Sequence, residues 1–247
     1  MLNKNKIVQY YDAKALQYER SADVQPLIAQ RLAVKCANLS PSTVLEIGAG
    51  TGLLSEALLV FFPKAQFLLT DIAPAMVAVT AARFQSVANV RVACMDGEAL
   101  ALSDTFDLIT SSMTLHWFVN LSQSLARLKT HLRPGGHLRI ALLGRASLQE
   151  WVQWQGAAAG IIPFPDVSTL QSQFPDFQFT VETIQQPYTS AEHFLHTLKN
   201  IGAHAPSVEY QPLSAGKLRR LLREINAAHP EGIRMTYEVI YAEYQRP

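Results

Sequence analysis

The ten residues T-V-L-E-I-G-A-G-T-G, Thr43 to Gly52, decide the fold. Their first half is a short apolar run that predicts a buried strand from Thr43 to Ile47. Three alternating glycines follow, and the chain continues with apolar residues at helical spacing: Leu53, Leu54, Ala57, Leu58, Phe61 and Phe62. Glycine accepts a positive φ and lets a ligand approach the backbone, while the first turn of a helix presents free N–H groups. This strand, turn and helix predict the first unit of a nucleotide-binding α/β sheet.

The second predicted strand ends in a carboxylate. The run Phe67 to Thr70 predicts that strand, and Asp71 follows it, about 20 residues beyond the glycines. An acid at this place can accept hydrogen bonds from both ribose hydroxyls of an adenosine. Leu53 stands where a dinucleotide fingerprint has its third glycine, and the sequence has no G-K-S/T phosphate loop. Taken alone, these residues leave a nicotinamide dinucleotide open, whereas the later motifs favour another adenosine carrier.

Strand and helix signals continue to alternate up to residue 145. Three further strands are predicted from Val90 to Met95, from Phe106 to Ser112 and from His137 to Leu143. The last of them follows the strong turn signal Arg133 to Gly136. Five alternating strand–helix units predict an α/β fold with a doubly wound, mostly parallel sheet.

The pattern changes beyond the fifth strand. Helical pieces at 147–175 and 205–230 predict lid insertions between two late strands, Phe177 to Tyr188 and Thr236 to Tyr244, which bring the sheet to seven strands. A helix from Ala191 to Asn200 should end at Gly202. No low-complexity linker interrupts the chain, so we expect a single domain over 1–247. Its expected parts are a helical arm at 1–38, a cofactor-binding core at 40–145, late strands with lid insertions at 146–235 and a final strand at 236–247.

Composition excludes several classes of protein. Apolar residues make up 49% of the chain and charged residues 17%, which supports a packed core and excludes disorder. With a net charge of +1, the chain lacks the overall excess of positive charge that is typical of nucleic-acid-binding proteins. Cys36 and Cys94 lie in apolar runs, so we expect packed thiols and neither a disulfide framework nor a zinc site. Because no signal peptide and no apolar run of membrane-spanning length is present, we expect a cytoplasmic protein that does not bind membranes.

Several residues near the predicted ligand edge have two interpretations. Tyr18, in an arm rich in tyrosine, either packs as an ordinary helix residue or folds over the glycine turn and adds its hydroxyl to the site. Met76 either covers an adenine or fills the core. Asp96, after the third strand, either accepts a hydrogen bond from an adenine amino group or caps a turn. Ser111 and Ser112 leave the fourth strand at the edge where open parallel sheets bind ligands.

Four motifs occur in order along the chain: an acid-x-Gly-x-Gly-x-Gly motif, a ribose acid, the Asp96 turn and a Pro-Gly-Gly before the fifth strand. Residues 40 to 145 thereby resemble the class I S-adenosylmethionine-dependent methyltransferases, which have a Rossmann-like fold. The resemblance implies S-adenosylmethionine as cofactor, S-adenosylhomocysteine as product, and no metal. The implied cofactor-binding residues are Tyr18, Glu46, Gly48, Ala49, Gly50, Asp71, Ile72, Met76, Asp96, Gly97, Glu98, Ser111 and Ser112.

A second set of motifs extends over nearly the whole chain: Ala15 to Glu19, the His-Trp pair within Ser111 to Leu121, Ser147 to Glu150, Leu198 to Ala203, and Thr236-Tyr237. This set is similar to the malonyl-acyl carrier protein O-methyltransferases of biotin synthesis. The sequence departs from that family at His116, where glutamine is more usual, and at Ala49, where cysteine is common. The resemblance implies methylation of the free carboxylate of a malonyl thioester, carried by acyl carrier protein or coenzyme A, as an early step of biotin synthesis.

A carboxylate needs few catalytic groups to accept a methyl group. Its pKa is about 4, so it is ionised at neutral pH and requires no general base. It requires loss of hydration, in-line placement and enclosure from water. Lys199, in one of the family-like segments, and Arg145, just after the fifth strand, are the candidate cations for orienting the carboxylate. The alternative is that they are a solvated lysine near a helix end and a surface arginine. Tyr18 and His116 are the predicted hydrogen-bonding groups, so Tyr18, Lys199 and His116 are the predicted catalytic residues.

Acyl carrier proteins are acidic, so their docking surface should be locally basic. The polar face of the predicted helix from Ser214 to Ala228 carries four basic residues where we expect docking, unless this is only a solvated helix face: Lys217, Arg219, Arg220 and Arg223. Three other functions stay open. One is methylation of another small acid or metabolite. The second is a nicotinamide-dependent oxidoreductase, against which Leu53 and the lack of a closely spaced tyrosine-lysine pair argue. The third is a non-catalytic nucleotide-binding protein.

Overall fold

A computed structural model describes residues 4–19, 22–156, 161–200 and 213–247. Its strands are β1 (Thr43–Ile47), β2 (Gln66–Asp71), β3 (Val90–Cys94), β4 (Phe106–Ser112), β5 (Leu132–Leu143), β6 (Gln178–Tyr188) and β7 (Ile233–Gln245). They form one seven-stranded sheet in the order β3-β2-β1-β4-β5-β7-β6. The strands from β1 to β5 pair in parallel, and β7 runs antiparallel to both of its neighbours. The predicted α/β fold with a mostly parallel sheet is confirmed.

The helices are α1 (Lys4–Lys14), α2 (Gln25–Cys36), α3 (Leu53–Phe61), α4 (Pro74–Arg83), α5 (Leu121–Thr130), α6 (Gln149–Gln155), α7 (Val167–Gln173), α8 (Ala191–Asn200) and α9 (Ala215–Ala228), with a 3₁₀ turn at Leu115–Trp117. None of the helices within the described ranges is long and apolar enough to cross a membrane. The expected helix end at Gly202 and the expected lid residues 205–212 lie outside those ranges.

Two apolar clusters pack on the sheet, as the alternation of side chains along a strand requires. Along β1, Val44 belongs to a cluster with α2 and α3, whereas Leu45 and Ile47 belong to a cluster with α5 and α7. All three side chains are at most 1% exposed. Because both sides of β1 are covered, the sheet is doubly wound, and its ligand edge lies at the carboxyl ends of the central strands.

Three local expectations are corrected by the structure. The connection between β3 and β4, residues 95–105, contains no helix, so the strand–helix alternation is interrupted there. The turn at Arg133 to Gly136 lies inside β5 as an irregularity, because Phe106 pairs with Leu132 and the ladder resumes only at His137. Cys36 is buried as expected, but Cys94 is exposed because β3 is an edge strand.

Candidate active site

A cavity lies beyond the carboxyl ends of β1, β2 and β4, where the sequence places the ligand edge. Side chains and backbone from the arm, the glycine turn and the loops after β2, β3 and β4 line it. All the predicted cofactor residues except Ser111 are among the lining residues: Tyr18, Glu46, Gly48, Ala49, Gly50, Asp71, Ile72, Met76, Asp96, Gly97, Glu98 and Ser112. Ser111 is buried beside them, and its hydroxyl donates to the carbonyl oxygen of Ile47 at 2.8 Å.

The glycine turn forms a cradle with room for a ligand. Gly48 and Gly50 have φ of +68° and +57°, a left-handed conformation that glycine adopts without a steric penalty. A Cβ on Gly48 would lie 2.2 Å from Cγ2 of Thr114, so only glycine fits there. A Cβ on Gly50 would meet no atom within 4 Å, because that position faces the open cavity. The turn therefore leaves space for a cofactor next to bare backbone.

The carboxylate of Asp71 is held in place at the end of β2. Its Oδ2 accepts a hydrogen bond from the N–H of Gly50 and its Oδ1 one from the N–H of Ala73, both at 2.9 Å. Burial raises the pKa of Asp71, although these backbone N–H groups act in the opposite direction. A carboxylate has about four acceptor positions, so each oxygen can still accept from a ligand hydroxyl. The residues present thus fit an adenosine ribose.

Glu46 lies below this cradle as a buried acid. The residue is 2% exposed, and its Oε2 accepts a hydrogen bond of 2.6 Å from the hydroxyl of Ser55. Burial raises the pKa of Glu46 to about 8; the Ser55 hydroxyl opposes that rise and the charge of Asp71 adds to it. Glu46 is therefore mostly protonated at neutral pH and adds little negative charge to the cavity.

The N-terminal arm covers the cavity, as one of the two interpretations of Tyr18 expects. Ile7, Tyr11 and Tyr18 line the cavity from the side of the arm. Burial, together with the charge of Asp71, raises the pKa of Tyr18, so its hydroxyl keeps its proton and can donate. The arm thus encloses the site and places a phenol in it.

Polar contacts at three points of the arm tie it to the loop after β3 and to α4. Lys4 Nζ lies 2.6 Å from Oδ2 of Asp96 and 2.7 Å from Oε2 of Glu98. Farther along the arm, Asp12 Oδ1 accepts from the N–H of Ala75 at 2.8 Å. At its end, Glu19 pairs with Arg83, which a second ion pair joins to α3. The arm is therefore fastened on both sides of the cavity.

Both interpretations of Asp96 and of Met76 describe part of the structure. Asp96 Oδ1 caps its own turn by accepting from the N–H of Glu98 at 2.9 Å, and the residue also lines the cavity. Met76 is 1% exposed and packs with Ala15 and Ala73, and it too faces the cavity. That these residues contact an adenine stays a prediction.

The predicted catalytic residues are only partly brought together. A second, smaller chamber adjoins the cavity, and both Tyr18 and His116 line it. Lys199 is exposed on α8 and is not among the residues that line either space. Arg145 does not line either space; 77% of its side chain is exposed, and a guanidinium nitrogen lies 4.0 Å from Asp166. Lys199 and Arg145, the two candidate cations, are both described by the structure, and neither lines the site.

Sequence reasoning missed several residues that line the cavity, among them Lys4, Gln25, Thr114 and Trp117. Thr114 and Trp117 follow Ser112 on the same loop, so the ligand-edge rule extended by a few residues finds them. Lys4 and Gln25 begin helices of the arm region, and the sequence contains no local signal for their approach to the sheet.

Comparison with known proteins agrees with this geometry. A family model described as a methyltransferase domain matches residues 45–138. Among solved structures, the YcgJ protein of Bacillus subtilis is similar with a TM-score of 0.64 at 17% identity, over 88% of this chain and 97% of that one. The N-methyltransferase NodS of Bradyrhizobium japonicum, solved with S-adenosyl-L-homocysteine, has a TM-score of 0.56 at 15% identity, over 98% of both chains. At such identities these structures support the fold alone.

Curated relatives are much closer in sequence. The biotin biosynthesis bifunctional protein BioCD of Bordetella avium is 37% identical over 100% of this chain, which spans only 53% of that longer protein. The malonyl-[acyl-carrier protein] O-methyltransferase of Magnetococcus marinus is 34% identical over 99% of this chain and 94% of its own length. With this identity over nearly the full length of both proteins, the chain belongs to the malonyl-[acyl-carrier protein] O-methyltransferase family.

Proposed function

We propose that this protein transfers a methyl group from S-adenosylmethionine to the free carboxylate of a malonyl thioester on acyl carrier protein, an early step of biotin synthesis. The observation that carries the proposal is the covered cavity in which the Gly50 cradle and the fixed Asp71 carboxylate face an open space. The choice of malonyl acceptor is supported by the names of the full-length relatives.

The residues of the cavity match the parts of such a cofactor. Asp71 is placed to accept from ribose hydroxyls, and the backbone around Gly50 leaves room for the chain that follows the sugar. Ile72 and Met76 offer apolar surface for an adenine, and Asp96 lines the same cavity. When bound there, S-adenosylmethionine supplies a methyl group on a positively charged sulfur, which a carboxylate oxygen can displace directly.

The work left to the protein is enclosure and placement. A carboxylate acceptor is ionised at neutral pH and needs no base, so no residue has to remove a proton. The arm with Ile7 and Tyr11 covers one side of the cavity and limits the access of water, which strengthens the electrostatic interactions inside it. The Tyr18 hydroxyl stays protonated and can donate a hydrogen bond that orients the acceptor. His116 lines the smaller chamber beside the cavity, as Tyr18 does, and is the second group that orients the acceptor.

We also propose that the carrier protein docks on α9. Lys217, Arg219, Arg220 and Arg223 are all exposed there. Arg220 is joined to Glu224 on the same helix at 2.8 Å, so its charge is partly offset. The helix begins at a Ser214 cap and is held to α8 through Asn226, whose side chain accepts from the N–H of Ala191 at 2.9 Å. A basic helix face is a suitable surface for an acidic partner.

Mass spectrometry of the carrier protein tests the proposed reaction. The enzyme is incubated with S-adenosylmethionine and either malonyl-carrier or acetyl-carrier, and both products are weighed. We expect malonyl-carrier to gain the mass of one CH₂ and acetyl-carrier to gain nothing, because acetyl lacks the carboxylate nucleophile. Free malonate and other small acids are run in parallel, and methylation of one of them but not of malonyl-carrier contradicts the proposal.

A further inference from the structure

Three aromatic side chains from separate segments meet at the cavity, and we call them the aromatic wall. Tyr11 belongs to α1, Tyr18 to the turn after it, and Trp117 to the 3₁₀ turn that follows β4. All three line the cavity. The ring centroid of Tyr11 lies 6.3 Å from that of Tyr18 and 6.1 Å from that of Trp117, at interplanar angles of 55° and 82°. Neither pair is stacked face to face, so ring surface is left for a ligand in the cavity.

The aromatic wall lies near the carboxylate that fits a ribose. Burial raises the pKa of Tyr11 and of Tyr18, and the charge of Asp71 adds to the rise in both. Both phenols are therefore neutral at physiological pH, and each ring has the partial negative charge on its face that is common to aromatic side chains. The sulfur of S-adenosylmethionine is bonded to C5′ of the ribose. A cofactor whose sugar is held by Asp71 thus has its positive charge within a few ångströms of the same carboxylate.

Charged side chains give the cavity a negative character. Among the described residues that line it, Lys4 is the one lysine or arginine, and its Nζ lies 2.6 Å from Asp96 and 2.7 Å from Glu98. Its ammonium group therefore pairs with carboxylates. Asp71 is a third carboxylate of the lining. Three carboxylates and one ammonium group favour a ligand that carries a positive charge.

A sulfonium group limits how such a charge can be recognised. Its sulfur carries three carbon substituents and no N–H, so it cannot donate a hydrogen bond to the carboxylates of the cavity. Aromatic faces attract cations of this kind, as they do quaternary ammonium groups, and the attraction is stronger where water is kept away. S-adenosylhomocysteine has a neutral thioether at the same place, so it lacks this attraction.

We propose that Tyr11, Tyr18 and Trp117 bind the positively charged sulfur of S-adenosylmethionine and thereby favour the cofactor relative to its neutral product. This inference rests on the proposed function and adds Tyr11 and Trp117 as specificity-determining residues. Methyl transfer breaks a C–S bond, leaves its electron pair on sulfur and forms a C–O bond to the acceptor, so the positive charge disappears. An attraction for that charge weakens along the reaction. The aromatic wall therefore promotes cofactor binding and product release and does not speed the transfer itself.

Ligand binding measured without an acceptor tests this inference, because no turnover then occurs. Calorimetry gives Kd for S-adenosylmethionine and for S-adenosylhomocysteine, and the ratio of the two constants is the readout. Tyr11→Leu and Trp117→Leu remove a ring and keep an apolar side chain, whereas Tyr11→Phe and Trp117→Phe keep a ring face. Ile7→Ala is the matched control, since Ile7 lines the cavity from the same helix as Tyr11 and has no ring.

Tyr11→Leu and Trp117→Leu should each shift the ratio about three- to tenfold in favour of S-adenosylhomocysteine. Tyr11→Phe should stay within about twofold of the wild-type ratio, and Trp117→Phe should lie between wild type and Trp117→Leu, because the indole is the better partner for a cation. Ile7→Ala should weaken both ligands alike and leave the ratio unchanged.

Two results overturn the inference. One is a wild-type ratio in both leucine variants. The other is an equal shift in Tyr11→Phe and Tyr11→Leu, since the hydroxyl and not the ring would then be responsible. Failure of the proposed function has a different signature: wild type binds neither ligand, or it binds both and does not methylate malonyl-carrier.

Discussion

Glu46 shows how a single buried acid makes stability depend on pH. Its pKa is raised to about 8 in the folded protein by burial, against about 4.3 for an exposed glutamate. Between these two values the folded chain binds a proton that the unfolded chain has released. Stability must therefore fall as pH rises through this window and level off above it.

We expect Glu46→Gln to remove this pH dependence, since glutamine is isosteric with the protonated acid and does not ionise. The melting temperature of the variant, relative to wild type, should rise between pH 5 and pH 8 by on the order of 5–10 °C. Thermal unfolding of the ligand-free protein at several pH values measures it. Glu231→Gln, at an exposed position, is the control and should show no such trend. A difference that is constant across the pH range contradicts the assigned protonation of Glu46.

At the residue scale, two features that the sequence predicts at the ligand edge are neighbours in the structure. The glycine turn and Asp71 are neighbours in space because parallel strands end at one edge, so a general rule places both. The prediction for Lys199 rests on its place in a family-like segment, but a helix position alone does not say which way a side chain points, and Lys199 is exposed. Gln25 was missed because an isolated glutamine at the start of a helix has no sequence signature.

Helix α1 is an element whose docking depends on a few polar contacts. Its cavity-facing side contributes Ile7 and Tyr11, while Lys4 bridges two carboxylates beyond β3. For Glu98, burial alone would raise the pKa, but the N–H of Asn120 and the ammonium of Lys4 outweigh it and lower the value. The ion pair with Lys4 is therefore intact at neutral pH. Because the arm lines one side of the cavity, we expect the release of a bound cofactor product to depend on its movement.

We expect Lys4→Met to loosen this end of the arm and to speed the dissociation of S-adenosylhomocysteine. The carboxylates are partly exposed, so the contact is weak and the rate constant should rise about two- to fivefold. Stopped-flow displacement of S-adenosylhomocysteine measures the rate. Gln9→Met, at an exposed position of the same helix, tests for general loss of helicity and should leave the rate unchanged. If both variants release the ligand at the wild-type rate, the Lys4 contacts do not hold the arm closed.

Elements with a strong apolar pattern were predicted well, and those that depend on distant partners were not. β1 and β4 agree with their predicted bounds because a run of buried residues between turn signals has one interpretation. In β5 the sequence predicts that Arg133 to Gly136 form a turn before the strand. Pairing of Phe106 with Leu132 extends the strand beyond it, and such pairing is not encoded locally. The contacts that hold the arm also join residues far apart in sequence.

The whole molecule is nearly neutral, so any attraction for an acidic partner must come from one part of its surface. The net charge is +1, whereas the exposed face of α9 concentrates four basic residues in less than two turns. Local fields of this kind steer charged partners and weaken as salt increases, because the Debye length is about 8 Å at physiological ionic strength. The effect should depend on the charge of the carrier protein and not on the acyl group itself.

Reversing two charges on α9 separates docking from chemistry. We expect Arg219→Glu combined with Arg223→Glu to raise KM for malonyl-carrier about tenfold at low salt, and less as salt increases, because an acidic partner is then repelled. The KM for malonyl-pantetheine, which lacks the carrier, should stay within about twofold of wild type. Lys64→Glu combined with Arg91→Glu changes the net charge equally at exposed positions outside α9 and should affect neither substrate. Steady-state kinetics over a salt series measures all three proteins. An equal rise in KM for both substrates places the defect in the active site and contradicts docking on α9.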